Sequence, residues 1–189
     1  STGKLKLTRA TINNVNIAAE TGTNTVTINN TFTAAVLPLD PTPDPEDSSV
    51  YTRVPIAKAM TGEATKEDLT FTAEIYNDAN VKVTQGTAKV EKATTAANFS
   101  GFGALTFNTA GDHPFTIKEA SITPAVPGMT YDVNKVGEGH TMVVSVAENT
   151  DAKELYISAV TIDDDVDINL SKNTPWLTIT NNYIEPKKT

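Results

Sequence analysis

Three polar side chains lie in phase with apolar residues on separate stretches of the sequence. In a β-strand, residues two apart share a face, so alternate apolar residues mark the face that is turned toward the core. Lys58, Glu119 and Asn181 each occupy a place in such a row. The sequence therefore predicts that an amine, a carboxyl group and a carboxamide point inward from three different strands. The rows are Val54, Ile56, Lys58 and Met60; Phe115, Ile117 and Glu119; and Leu177, Ile179, Asn181 and Tyr183.

These three groups together have the chemistry to form an amide bond. Burial disfavours ionised side chains, so it lowers the pKa of a lysine and raises the pKa of a glutamic acid. A neutral amine is a nucleophile, and a carboxyl group that hydrogen-bonds an amide oxygen makes the amide carbon more electrophilic. We therefore predict a cross-link between Lys58 and Asn181 with loss of ammonia, in which Glu119 transfers the protons.

Each of the three residues also has an ordinary structural explanation. Lys58 can extend its amine past a strand end, Glu119 can begin a turn, and Asn181 can cap the last strand. The neighbouring Asn182 leaves a register alternative of one residue, although the alternation favours Asn181. A structural explanation suffices for any one residue, but three such exceptions in one chain favour a shared site.

The elements that carry these residues are predicted to be β-strands. Threonine supplies 31 of the 189 residues, and β-branched side chains suit pleated strands better than helices. About ten short alternating segments separated by turn residues predict an all-β protein, a β-sandwich of immunoglobulin-like or Greek-key type. Only residues 65–68 and 94–98 have a briefly helical pattern. The predicted strands are residues 4–12, 24–36, 54–60, 69–76, 81–90, 104–108, 114–122, 141–148, 154–162 and 176–183.

Composition excludes several classes of function. The chain has no cysteine, so disulfides and thiolate chemistry are ruled out. Its net charge of −8 and the lack of a basic patch argue against nucleic acid as a partner. No apolar run approaches the roughly 20 residues that cross a bilayer, and no metal site or cofactor is predicted. The two histidines, His113 and His140, are expected at the surface.

One domain boundary is predicted from proline and acidic residues. Residues 38–47 contain four prolines and four acidic residues, which cannot form a continuous ladder of backbone hydrogen bonds. We expect a β-rich segment over residues 1–37 that packs on the main body or on a neighbouring molecule, a linker or exposed crossover over 38–49, and the main sandwich over 50–189.

Several ordered motifs resemble one known family, the backbone pilins of Gram-positive bacteria of the streptococcal T-antigen or FctA type. The resemblance covers about residues 50 to 184. Its motifs are the strand lysine and turn glycine of Val54-Pro55-Ile56-Ala57-Lys58-Ala59-Met60-Thr61-Gly62; the glutamate-ended strand Pro114-Phe115-Thr116-Ile117-Lys118-Glu119; the turn Pro127-Gly128-Met129-Thr130-Tyr131-Asp132; and the closing strand Ile179-Thr180-Asn181-Asn182-Tyr183.

The resemblance implies a CnaB-like sandwich and a structural role, not an enzyme. It implies Lys58 as the amine, Asn181 as the amide and Glu119 as the catalytic proton shuttle of an internal isopeptide bond. It also implies a location on the cell wall and pilus surface, with other pilin subunits, a pilus-class sortase and peptidoglycan as partners. Lys172 resembles the lysine to which a sortase joins the next subunit. The chain ends without a sorting motif or membrane tail, so we expect a trimmed C-terminal signal.

Two alternatives stay open at this point. Lys4 or Lys6 is a competing amine, because the first forty residues have no counterpart in the family pattern. A cell-wall-anchored adhesin domain that binds a host glycan or matrix protein would share the same fold, because binding sites of such sandwiches lie on loops. A host receptor is therefore a further candidate partner.

Overall fold

The computed structural model describes residues 10–12, 15–17, 32–164, 168, 170 and 174–187, and the regular structure that it assigns there is β-strand. None of these residues belongs to a helix that is long and apolar enough to span a membrane. The chain divides into two compact units, Ser1–Thr31 and Phe32–Thr189. In the first unit, strand β1 (Ala10–Ile12) pairs antiparallel with β2 (Val15–Ile17).

The second unit contains the strands that matter for the candidate site, arranged mainly in two sheets. Its strands are β3 (Ala35–Pro38), β4 (Thr42–Pro43), β5 (Tyr51–Arg53), β6 (Ile56–Gly62), β7 (Leu69–Asn77), β8 (Lys82–Val90), β9 (Ala96–Asn98), β10 (Ala104–Phe107), β11 (Gly111–Ala120), β12 (Met129–Thr130), β13 (His140–Asn149), β14 (Glu154–Ile162) and β15 (Leu177–Tyr183). Five of these strands form a sheet in the order β14-β13-β11-β7-β8, and four form a second sheet in the order β12-β15-β6-β9. The two remaining short pairs are β10-β3 and β4-β5.

The core lies between the two sheets, where alternate residues of each strand are buried. Phe71 and Ile75 of β7 and Ile117 of β11 are fully buried, as are Ile56 of β6 and Ile179 of β15 on the other sheet. These side chains belong to one continuous hydrophobic cluster. Period-two burial on two facing sheets is the arrangement of an immunoglobulin-like β-sandwich, so the predicted fold class is confirmed.

Where the structure describes the chain, most predicted strands agree with the observed ones to within a few residues. Most of the predicted strands 4–12 and 24–36 lies outside the described residues. The segment 154–162 matches β14 at both ends, and the segment 69–76 is one residue shorter than β7. The two segments with a briefly helical pattern are not helices, and Ala96–Asn98 pairs with β6 as strand β9. Pairing with a neighbouring strand has outweighed local helix propensity here, because strand stability depends on such tertiary contacts.

The proline-rich stretch forms an ordered crossover within the second unit, and this unit begins well before the predicted start at residue 50. Strand β3 pairs with β10, and its alternate residues Ala35 and Leu37 are buried, as is Leu39. The alternation therefore continues to the prolines, and the predicted boundary between residues 37 and 38 falls at the end of a core strand. That the first unit, Ser1–Thr31, packs on the main body or on a neighbouring molecule stays a prediction.

Asp40 fastens this crossover to the loop before β10. Its Oδ1 accepts hydrogen bonds from the backbone N–H groups of Gly101 and Phe102 at 2.7 and 2.8 Å, and its Oδ2 accepts one from Gly103 at 3.0 Å. Hydrogen bonds to an ionised acceptor are stronger than neutral ones. Because the next residue is a proline, the carboxylate replaces backbone pairing at the point where the strand ends.

We expect the substitution Asp40→Ala to lower the free energy of unfolding by about 1–3 kcal/mol, because it leaves three backbone donors without their acceptor. Chemical denaturation measures this loss. The control is Asp78→Ala, in an exposed hairpin turn, which should change stability by less than about 0.5 kcal/mol. Equal stability of Asp40→Ala and the parent chain would show that the three hydrogen bonds to the Asp40 carboxylate do not stabilise the fold.

Candidate functional site

Lys58 and Asn181 are positioned by the parallel pairing of β6 with β15. Lys58 lies opposite Ile179 in this register, and Asn181 lies opposite Met60. Residues two apart in a strand share a face, so Asn181 is the diagonal neighbour of Lys58 on the core side of the sheet. The Lys58 ammonium group donates a hydrogen bond to the Ile179 carbonyl oxygen at 3.2 Å. Strand register therefore brings an amine and a carboxamide together across about 120 residues of sequence.

Glu119 reaches the same point from the opposite sheet. It lies on β11, opposite Ala73 of β7, and its Oε1 is 3.0 Å from Nζ of Lys58. The side chains of Lys58 and Glu119 are 0% and 1% exposed. The Lys58 nitrogen also lies 4.7 Å from the centre of the Phe71 ring. All three residues selected from the sequence are thus inside the sandwich, and they meet between its two sheets.

The surroundings favour the neutral forms of the amine and the acid. Burial lowers the pKa of Lys58 to about 8, although the Glu119 carboxylate opposes this shift. Burial also raises the pKa of Glu119, with the Lys58 amine acting in the opposite direction. Both shifts have the sign expected when charged groups lose water in an apolar interior. Proton transfer from the ammonium to the carboxylate within the pair is therefore much easier than it would be in solution.

The Asn181 amide is held in a defined orientation. Its Oδ1 accepts a hydrogen bond from the backbone N–H of Asp132 at 2.7 Å, and both residues are buried. This differs from the expectation that the Glu119 carboxyl group would bind the amide oxygen. The amide nitrogen Nδ2 is turned toward Glu119, close enough to lower the pKa of that carboxyl, yet it makes no well-aligned hydrogen bond within the described part of the chain.

Asn182, the register alternative to Asn181, does not direct its amide into the core. Asn182 is partly exposed, and its Oδ1 accepts a hydrogen bond from the Thr61 hydroxyl at 3.2 Å. Asn181, in contrast, has no exposed surface. The alternation of β15 therefore places the first of the two asparagines beside Lys58.

A second polar cluster, which sequence reasoning missed, lies directly behind Asn181. His140 was expected at the surface but is 2% exposed. Its Nε2 is 3.2 Å from Oδ1 of Asp132, and its Nδ1 is 2.5 Å from Oδ2 of Asp163. His140 begins strand β13 in phase with the buried Met142, so the period-two rule would have found it.

The glycines of the family-like motifs lie where the chain closely approaches the end of β15. A Cβ atom at Gly62 would meet the Tyr183 carbonyl oxygen, and one at Gly128 would meet the Ile184 carbonyl oxygen. Both glycines have positive φ, +82° and +84°, which favours glycine over residues with a side chain. These two positions allow the neighbouring loops to pack against the closing strand that carries Asn181.

A cleft of about 400 Å³ opens beside the buried groups. Its lining includes Glu119, Tyr131, Asp132 and Lys135, so it leads from the buried carboxyl toward the protein surface. Across the described residues, His, Asp and Glu side chains do not gather into a group suited to holding a metal ion. Lys172, proposed as the sortase acceptor, and the competing amines Lys4 and Lys6 lie outside the residues that the structure describes.

Comparison with known proteins agrees with the resemblance inferred from the motifs. The model of the FctA family, described as the Spy0128-like isopeptide containing domain, matches residues 54–184. No curated protein matches the chain. The chain is also similar to solved structures of the major pilin from Streptococcus pyogenes, and it spans about half the length of each.

Two of these structures illustrate the level of similarity. One has 15% sequence identity and a TM-score of 0.45, and the match covers 82% of this chain and 51% of the pilin. The other is a point variant of that pilin, with 17% identity, a TM-score of 0.47 and coverage of 70% and 50%. The family assignment rests on the sequence model, which covers more than half of the chain and includes Lys58, Glu119 and Asn181. The chain therefore belongs to the FctA family of Spy0128-like isopeptide-containing domains.

Proposed function

We propose that the protein forms an intramolecular amide bond between Nζ of Lys58 and Cγ of Asn181, with Glu119 as the proton shuttle. The observation that carries this proposal is the burial of all three groups together, with the amine 3.0 Å from the carboxylate. A buried amine, carboxyl and carboxamide are costly to fold as separate groups, because each gives up hydrogen bonds to water. Conversion to an amide removes the ammonium and one of the unpaired nitrogen groups.

The reaction balances without an added reagent. A proton moves from the Lys58 ammonium to Glu119, and the neutral amine attacks Cγ of Asn181 to form a new C–N bond. Glu119 then carries a proton from the attacking nitrogen to the departing Nδ2. The old C–N bond breaks and ammonia leaves. Glu119 keeps the proton that it first took from the Lys58 ammonium, and it returns to the carboxylate when that proton passes to the ammonia or to solvent. The cleft beside Glu119 gives the ammonia a route to solvent.

We propose further that the chain is a structural subunit, a backbone pilin, of a pilus on the surface of a Gram-positive bacterium. Membership of the isopeptide-containing family supports this role, as does the position of the cross-link between the first and last strands of the matched domain. Other pilin subunits would be its partners, joined covalently by a sortase, with Lys172 as the candidate acceptor. Attachment to cell-wall peptidoglycan belongs to the same proposal.

The intact mass of the purified chain tests the cross-link. We expect the parent chain to weigh one ammonia less than its sequence mass, and Glu119→Ala to have its full sequence mass because the proton shuttle is lost. Lys58→Met should also show no deficit. Its matched control, Lys118→Met, lies next to Glu119 in sequence but on the opposite face of β11, and it should keep the deficit. A parent chain of unchanged mass would refute the proposal.

The rate of ammonia loss should follow a bell-shaped pH profile. The ion pair and its reactive neutral form contain the same number of protons, so the reactive fraction is constant while the pair holds one proton. It falls at high pH as the last proton leaves, near the Lys58 pKa of about 8. The reactive fraction also falls at low pH, where Glu119 and Lys58 are both protonated. This fall should begin above pH 4.5, because the pKa of Glu119 is raised from that usual value. A rate that continues to rise well above pH 8 would contradict this assignment.

The cross-link should stabilise the domain. By the chain-entropy relation used for disulfides, closing a loop of about 120 residues contributes about 5 kcal/mol. The double variant Lys58→Met with Glu119→Gln removes the bond without leaving a buried charge, so we expect it to unfold with a free energy about 5 kcal/mol lower. Chemical denaturation of both chains measures the difference. Equal stabilities would show that the bond does not restrict the unfolded chain.

A further inference from the structure

One hydrogen bond, from the backbone N–H of Asp132, determines which way the Asn181 amide points. A backbone N–H can only donate, so the atom that faces the Asp132 nitrogen at 2.7 Å must be the amide oxygen. The amide nitrogen consequently points away from Asp132 and toward Glu119, where the leaving group must be protonated. Each end of the Asn181 amide thus faces a different partner.

The side chain of Asp132 is held in place by His140. Its carboxylate contacts Nε2 of His140 through both oxygens, at 3.2 and 3.1 Å, and only 7% of its side chain is exposed. Its backbone adopts a φ of 41°, in the left-handed region that aspartate tolerates better than most residues. The conformation that directs its N–H toward Asn181 is therefore an uncommon one, and the contacts of its carboxylate with His140 restrain it.

His140 connects this anchor to the surface of the sandwich. Its other ring nitrogen, Nδ1, contacts Oδ2 of Asp163, whose Oδ1 accepts a hydrogen bond from the Thr141 N–H at 3.0 Å. Lys135 lies 3.5 Å from the same Asp163 oxygen. A histidine between two carboxylates is best satisfied when both ring nitrogens carry a proton. Burial lowers the pKa of His140, but the bonds to Asp132 and Asp163 outweigh that effect and raise it.

We propose that the backbone N–H of Asp132 stabilises the oxyanion that forms on Asn181 during cross-linking, and that His140 is a positioning residue that holds Asp132 in place. This inference rests on the proposed amide bond and adds a partner for its developing charge. When Nζ of Lys58 attacks Cγ, the electron pair of the C=O bond moves onto Oδ1. That oxygen already has a donor at 2.7 Å, so no reorganisation is needed when the charge appears.

Asp132 and Glu119 have different roles in the reaction, because they contact different atoms of the Asn181 amide. Asp132 serves the oxygen, and Glu119 serves both nitrogens, the attacking Nζ and the departing Nδ2. The Glu119 carboxyl group is then free to move protons and is not occupied by polarising the carbonyl. Loss of one preorganised oxyanion donor typically slows a reaction by about 10²–10³-fold, and a loosened donor should slow it by about tenfold or more.

The test follows the mass of the chain during cell-free synthesis, where cross-linking begins from the unreacted state. We expect His140→Ala to lose ammonia at least about tenfold more slowly than the parent, counted for protease-resistant molecules only. The matched control is His113→Ala, the other histidine, which contacts the Thr109 carbonyl away from the site and should react at the parent rate.

Proton NMR spectroscopy separates a loss of positioning at Asp132 from a general loss of stability. In a Glu119→Ala chain, which retains the unreacted Asn181, the Asp132 amide proton should resonate downfield and exchange slowly because of its short hydrogen bond. Adding Asp163→Asn, a milder change at the partly exposed end of the cluster, should shift that resonance upfield while the remaining spectrum stays dispersed. This arm remains informative if His140→Ala does not fold.

The outcomes distinguish the two proposals. If the parent loses no ammonia, the cross-link itself is wrong. If the parent reacts but folded His140→Ala reacts equally fast, the cross-link stands and the positioning role of His140 is overturned. A fast-exchanging, unshifted Asp132 amide in the Glu119→Ala chain would overturn the oxyanion role. Slow reaction of folded His140→Ala with a parent rate for His113→Ala, together with a slowly exchanging Asp132 amide in the Glu119→Ala chain, would support both parts of the inference.

Discussion

The contact between a buried amine and a buried carboxyl group is the constraint on which the rest of this domain depends. The Lys58 and Glu119 side chains have almost no exposed surface, and they come from opposite sheets. An ion pair at such a place gains little over apolar packing, because two charges lose their hydration. The arrangement becomes understandable once the pair is seen as a reactant, since the amide product removes the buried charges.

The strand topology supplies the geometry that this chemistry needs. Parallel pairing of β6 with β15 places the amine and the carboxamide in one diagonal position, while β11 brings the acid from the facing sheet. The same pairing determines how the domain would respond to tension. Force entering at the start of β6 and leaving at the end of β15 pulls two neighbouring parallel strands in opposite directions. A covalent bond between Lys58 and Asn181 would take this shear load in place of backbone hydrogen bonds.

Much of the site could be predicted because the period of a strand is strict. One polar residue among alternating apolar ones identified each of Lys58, Glu119 and Asn181, and the observed strands bury all three side chains. The same rule would have found His140, had the predicted strand begun one residue earlier. Asp132 gave no such signal, because it contributes through a backbone N–H in a turn whose conformation depends on distant contacts.

The domain boundary shows a second limit of local patterns. Prolines interrupt backbone pairing, so residues 38–49 were expected to separate two regions. The structure instead uses the Asp40 carboxylate to fasten this stretch to three backbone N–H groups some sixty residues away. A side chain that replaces a missing ladder is invisible to composition, because its donors lie far away in the sequence.

Peptide mapping of the trypsin-digested chain shows directly whether Lys58 and Asn181 are joined. A cross-linked Lys58 resists cleavage, so we expect a single branched peptide that joins residues 54–66 to residues 173–187 and has lost one ammonia. Fragment ions should place the junction at Lys58 and Asn181. Separate linear peptides, with cleavage after Lys58 and an unmodified Asn181, would show that the bond does not form.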